Sequence, residues 1–140
     1  MAETAQFLKL THEGVLAALN AGIAKATDMG QPQCISIVDN GGNLLAFVRM
    51  NGAFHMSLET SLRKARTAAC YADPSGGLME GVDIKLAIGT DGQRINLPGG
   101  LPIIVDGHCI GGVGVGSGTG EQDREVATAA IAAIPGSQAF

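Results

Sequence analysis

Apolar residues recur along this chain with changing period, and the changes mark out its elements. From Leu10 to Met29, Val15, Leu16, Leu19, Ile23 and Ala26 return at helical spacing. Thr11 stands where an N-cap is needed, and Gly30 followed by Pro32 stops the run. The pattern then turns continuous. Cys34–Val38 and Leu44–Met50 flank Asp39-Asn40-Gly41-Gly42-Asn43, which predicts a β-hairpin, because Asn and Gly tolerate the positive φ of tight turns. Both runs are apolar, as expected of strands covered by helices. Helical spacing resumes over Ser57–Tyr71, with Leu58, Leu62, Ala65 and Ala69 on one face, Glu59 four residues before Arg63, and Asp73-Pro74 as the stop. Between Gly76 and Gly92 the pattern is weakest: Leu78, Met79, Val82, Leu86 and Ile88 fit a short helix weakened by Gly81. Leu101–Val105 and Cys109–Val115 predict a second hairpin across Asp106-Gly107. A last helix runs from Gly120 to Ile134, opened by the capping box Thr119-x-x-Gln122 and closed by Pro135-Gly136.

This order of elements predicts one α+β domain over residues 1–140, an antiparallel sheet with helices on its faces. A hydrophobic content of 46% excludes a disordered chain. The net charge of −4, without any Lys/Arg run, argues against nucleic acid and membrane surfaces as partners. No apolar run approaches the roughly 20 residues of a membrane span, and MAETAQFLKL lacks the features of a secretory signal. The expected compartment is the cytoplasm. Three widely spaced cysteines fit neither a disulfide framework nor a zinc site, and no metal site is expected. Of the 21 glycines, 15 lie from Gly76 onward, so packing there must come from close backbone approach, which points to a core completed against another copy in a homo-oligomer.

The candidate chemistry gathers around these glycines. In a strand, Gly112, Gly114 and Gly116 share one face while Val113 and Val115 enter the core. The bare face suits a flat ligand or the close packing of a helix or subunit. Gly99 and Gly100 form an elbow beside it. Arg49 ends an apolar strand. Lys64, one position from the buried stripe of its helix, belongs at the rim of a cleft. Together they would suit a carboxylate or a haem propionate. Arg63 and Arg66 read as a solvated helix face with i,i+4 pairs. His12 and His108 read as exposed. His55, between Phe54 and Met56, reads as an axial haem ligand, an acid–base group or a plain loop residue. Glu121 and Asp123 open the last helix, where they complement its dipole or, facing a pocket, would act as a general base. No dinucleotide fingerprint, P-loop or nucleophile elbow is present.

These segments together resemble the GlcG/HbpS-like family, which includes the C-terminal domain of PduO-type proteins. The resemblance rests on Val38-Asp39-x-Gly41-Gly42 with Leu44-Leu45-Ala46-Phe47-x-Arg49-Met50, and on Lys64-Ala65-x-Thr67-Ala68-Ala69. It continues through Leu97-Pro98-Gly99-Gly100-Leu101-Pro102-Ile103 and Val113-Gly114-Val115 to Thr119-x-Glu121-Gln122-Asp123. It covers nearly the whole chain. It implies a roadblock/profilin-like α-β-α sandwich assembled as dimers or larger oligomers, with relatives that bind haem and others that accompany catabolic enzymes. Two positions depart from the family: Asn51 stands where typical members have Asp, and Gly116-Ser117 reverses their Ser-Gly order.

Three functions follow from this reading. The first is a cytoplasmic, oligomeric protein binding haem or a similar flat anionic compound. Gly99, Gly100, Gly114 and Gly116 would be its floor, Arg49 and Lys64 its anchors, and His55 its axial ligand. The second is a small isomerase or lyase acting on an organic acid, with Glu121 or Asp123 moving the proton. The third is a non-catalytic oligomeric accessory protein.

Overall fold

The computed structural model describes residues 2–140. Along the chain run α1 (His12–Met29), β1 (Cys34–Asp39), β2 (Leu44–Arg49), α2 (Ser57–Tyr71), α3 (Val82–Gly89), β3 (Gly100–Val105), β4 (His108–Gly116) and α4 (Gly120–Ala132). The four strands form one antiparallel sheet in the order β2-β1-β4-β3. Each hairpin supplies a neighbouring pair, and the sheet is closed by β1 against β4, far apart in sequence. The β3–β4 turn takes its shape from Asp106 and Gly107, at φ of 50° and 76°, the two positive values of a tight hairpin turn.

Side-chain alternation divides the sheet into two unlike faces. Ile35, Ile37, Leu101, Ile103, Val113 and Val115 point to one side, where α1 and α4 bury them under Val15, Ala18, Val126, Ala130 and Ile131. Each of these aliphatic side chains contributes about 1.5–3 kcal/mol by leaving water. The other face carries small residues and receives α2, with Ala65 and Ala69 packed beside Val38. A buried hydrogen bond of 2.8 Å between the hydroxyls of Ser36 and Ser61 joins β1 to α2 across that face. The result is the α-β-α sandwich expected from the sequence.

Three local expectations change. The apolar run of β2 does not mean full coverage: β2 is an edge strand, and Leu44 and Leu45 stand exposed. The weak third helix starts only at Val82, because Gly81 sits at φ of 90° and ends the preceding turn, leaving Leu78 and Met79 outside. The last helix ends at Ala132, where Ala133 and Ile134 turn back to carbonyls three residues earlier. Among the described residues no helix is long and apolar enough to cross a membrane.

Candidate functional site

The glycine face of β4 is occupied by the protein itself. A side chain on Gly112 would come within 2.6 Å of the Ala65 carbonyl, and one on Gly114 would strike the backbone of Ser61 and Ala65. Gly116 lies against Ser57, and Gly100 against the backbone of Lys64. The bare strand is therefore the seat of α2, which approaches the sheet as closely as backbone permits. Of the two uses the sequence allowed for this face, close packing of a helix is the one realised.

Lys64 and Asp123 also turn inward. Lys64 leaves α2 and passes the start of β3, where Gly99 and Gly100 offer no side chain to block it. Its Nζ donates to Asp123 Oδ2 at 2.9 Å and to the Val115 carbonyl at 2.8 Å. The second carboxylate oxygen of Asp123 accepts from Gly118 N at 2.9 Å. Both residues are buried, at 5% and 2% exposure, so neither presents its charge to solvent. A side chain on Gly99 would meet Asp123 Cβ and the Val115 carbonyl, each at 2.8 Å, so the elbow must be glycine for this crossing to exist. Instead of an anion anchor and a general base, the two residues form an internal ion pair joining helices on opposite faces of the sheet. Glu121 stays exposed, one residue into α4 beside Arg124, while Thr119 and Gln122 complete the expected capping box.

Arg49 and His55 are at the same end of the sheet, both exposed. Arg49 pairs in register with Cys34. Burial pushes the Cys34 thiol above its ordinary value, opposed by a hydrogen bond with Ser117 and by the Arg49 charge. A buried thiol of this kind is a poor nucleophile at neutral pH. Ser117 holds the junction: although not glycine, it takes φ of 99°. Its hydroxyl accepts from Phe54 N at 3.0 Å and bonds Ser57 Oγ at 2.8 Å. His55 stands between exposed Phe54 and Met56.

The opposite end of the sheet holds a cavity that the sequence did not reveal. A cavity of about 450 Å³ opens between the first turn of α1 and the edge strand β2, lined by Lys9, Leu10, Thr11, His12, Glu13, Val15 and Leu45. It combines an imidazole, an ammonium, a carboxylate and an aliphatic wall. His12 Nε2 lies 3.2 Å from Glu13 Oε1, and both side chains are largely exposed. Lys9 acts on this end of the molecule: burial alone would raise the Asp39 carboxyl, but hydrogen bonds from Asn43 and Gly41, with the Lys9 charge, hold it below its ordinary value. The first-turn position of His12 was legible in the sequence. That β2 lies beside it was not, since the pairing of an edge strand with α1 is set by strand order.

Most of the chain is similar to known proteins. A family model described as haem degrading protein, HbpS-like, matches residues 10–132. An uncharacterized 15.0 kDa protein of Citrobacter freundii, from the dhaT-dhaS intergenic region, is 42% identical over 113 residues, covering 77% of this chain and 80% of the relative. Protein GlcG of Escherichia coli K12 is 37% identical over 107 residues, covering 76% and 80%. Among solved structures, the Klebsiella pneumoniae protein ORFY superposes with a TM-score of 0.90 at 32% identity, over 96% of both chains. A PduOC–haem complex superposes with a TM-score of 0.86 at 29% identity, over 95% of this chain and 99% of that one.

Proposed function

This chain belongs to the HbpS-like family of haem-degrading proteins, and from that premise we propose that it binds haem, or a similarly flat anionic small molecule, as a cytoplasmic homo-oligomer. The observation that carries the reading is the cavity at His12. Haem needs an axial donor, an apolar wall for the macrocycle and cations for its carboxylates. His12 offers the imidazole, Leu10, Val15 and Leu45 the wall, and Lys9 the cation. The cavity volume is in the range of small-molecule sites. The imidazole and the ammonium fit the group, the exposed Glu13 carboxylate beside His12 must turn to solvent to admit its anionic edge, and the haem complex formed by PduOC, a close structural neighbour, supports the choice of ligand. Bound haem would supply the iron-centred chemistry. This chain's residues would orient it through the His12 ring and hold its anionic edge at Lys9.

The other end of the sheet supports binding less well, since Lys64 is neutralised by Asp123 and the glycine face lies under α2. The acid–base reading has no exposed Asp123 carboxylate to use, because both its oxygens are engaged. Three free cysteines without a disulfide fit a reducing compartment.

Haemin titrated into the purified protein should give a saturable Soret shift at one haem per chain. His12→Ala should abolish or displace that band while His55→Ala leaves it unchanged. Loss of the band in His55→Ala alone would move the site to the start of α2, and a non-saturating response in the parent protein would remove haem as the ligand.

A further inference from the structure

A second cavity, of about 760 Å³, lies on the α2 side of the sheet, between the β1–β2 turn and the loop that follows α3. We propose that it is a binding site for a small molecule carrying oxyanion groups, phosphate or carboxylate, held by Arg66 and Arg94. The site is distinct from the His12 cavity and does not depend on the haem reading.

The cavity is positively charged. Arg66 and Arg94 both line the cavity, whose walls include no carboxylate, in a chain whose net charge is −4. Among the described residues neither guanidinium has an acidic partner within 4 Å, whereas Arg63, one turn along α2, pairs with Glu59 as its spacing predicted. The adjacent acid, Asp39, is turned into its own hairpin, where Oδ1 accepts from the backbone N–H groups of Gly41 and Asn43, each at 2.9 Å. The cavity keeps its positive charge uncompensated.

Arg66 is nonetheless held in place, and Arg94 is fixed at its backbone. Arg66 Nε donates to the Gly42 carbonyl at 2.9 Å and its Nη1 to Gln93 Oε1 at 2.7 Å. Arg94 Nη1 reaches the Gln93 carbonyl at 3.4 Å, and its backbone N–H is fixed by Thr90 Oγ1 at 3.0 Å. Gln93 thus gathers two like charges on neutral acceptors. An oxyanion in the cavity would offset these charges, and each guanidinium retains N–H donors in the fork geometry that matches carboxylate and phosphate. The sequence alone read Arg66 as a solvated helix position. Its actual partners, the β1–β2 turn and the loop after α3, come from distant segments.

Inorganic pyrophosphate and malonate, each titrated into the full chain and followed by calorimetry and amide NMR, provide the test. At least one should bind saturably, with shifts concentrated at residues 41–43 and 93–94. Arg94→Gln should weaken it roughly 10- to 100-fold, the effect of losing a charge-assisted contact. This variant spares the fold, since the Arg94 side chain makes one long bond. A response to pyrophosphate alone assigns a phosphate ligand, and to malonate alone a carboxylate. The proposal is overturned if neither anion saturates in the millimolar range, if the shifts map elsewhere, or if Arg94→Gln binds like the parent. It is equally overturned if the anions do nothing and Arg94→Gln changes the subunit number, which would make the patch a contact between copies.

Discussion

At the scale of single residues, the Lys64–Asp123 pair shows how two side chains singled out separately in the sequence meet as one buried unit. Both stood out in the sequence, one as a cation on the border of a buried stripe, the other as an acid opening a helix. Their separation by 59 positions gave no sign that they meet. The trace that did exist was Gly99-Gly100: two residues without side chains at the point where Lys64 crosses the sheet. Burial makes the pair costly to break from one side. Lys64→Met leaves a buried carboxylate, and Asp123→Leu a buried ammonium; each should cost about 3–5 kcal/mol. The double variant leaves no orphaned charge and should cost clearly less than the sum. Urea unfolding of the parent, both single variants and the double variant measures the coupling, and additive losses would show that the two side chains do not act as a pair.

At the scale of elements, the helices and hairpins were legible because their stop signals are local. The capping box at Thr119, the Asp106-Gly107 turn and the Gly30 cap are each read within a few residues, and α2 has the bounds that its apolar spacing predicted. What spacing could not decide is which surface covers a strand face. The glycines of β4 allowed a ligand or a helix equally, since both need the same bare backbone. Their contact with α2 makes a sharp prediction. In Gly114→Ala the new methyl would meet the backbone of Ser61 and Ala65, which cannot move without lifting α2 from the sheet. The loss should be about 1–3 kcal/mol. Gly77→Ala, where a Cβ has open space, should stay within about 0.5 kcal/mol. Thermal unfolding of the two variants separates a packing requirement from a general intolerance of glycine replacement; equal behaviour would refute the former.

At the scale of the whole molecule, the apolar composition of α3 stands out. Val82–Gly89 is apolar enough for a core helix, yet none of its residues is buried, and Ile84 and Ile88 are 62% and 73% exposed with Met79 at 72%. A helix of this length gains little from its own hydrogen bonds and depends on packing an apolar face. Exposed aliphatic residues grouped in this way mark contact surfaces. A second copy is the occupant that the homo-oligomer reading requires. Placing the same patch on both sides of a twofold axis would bury Ile84 and Ile88 of both copies, at about 1.5–3 kcal/mol for each side chain removed from water. Ile84→Asp with Ile88→Asp should therefore lower the mass seen by light scattering while circular dichroism stays unchanged, because neither side chain belongs to the core of its own subunit. The haemin response of this variant adds a second readout. The His12 cavity is formed by α1 and β2, so it should survive dissociation if one chain suffices to bind. An unchanged mass would leave α3 without this role and shift attention to the exposed Leu44 and Leu45 of the edge strand, where an added strand would both extend the sheet and cover the cavity beside His12.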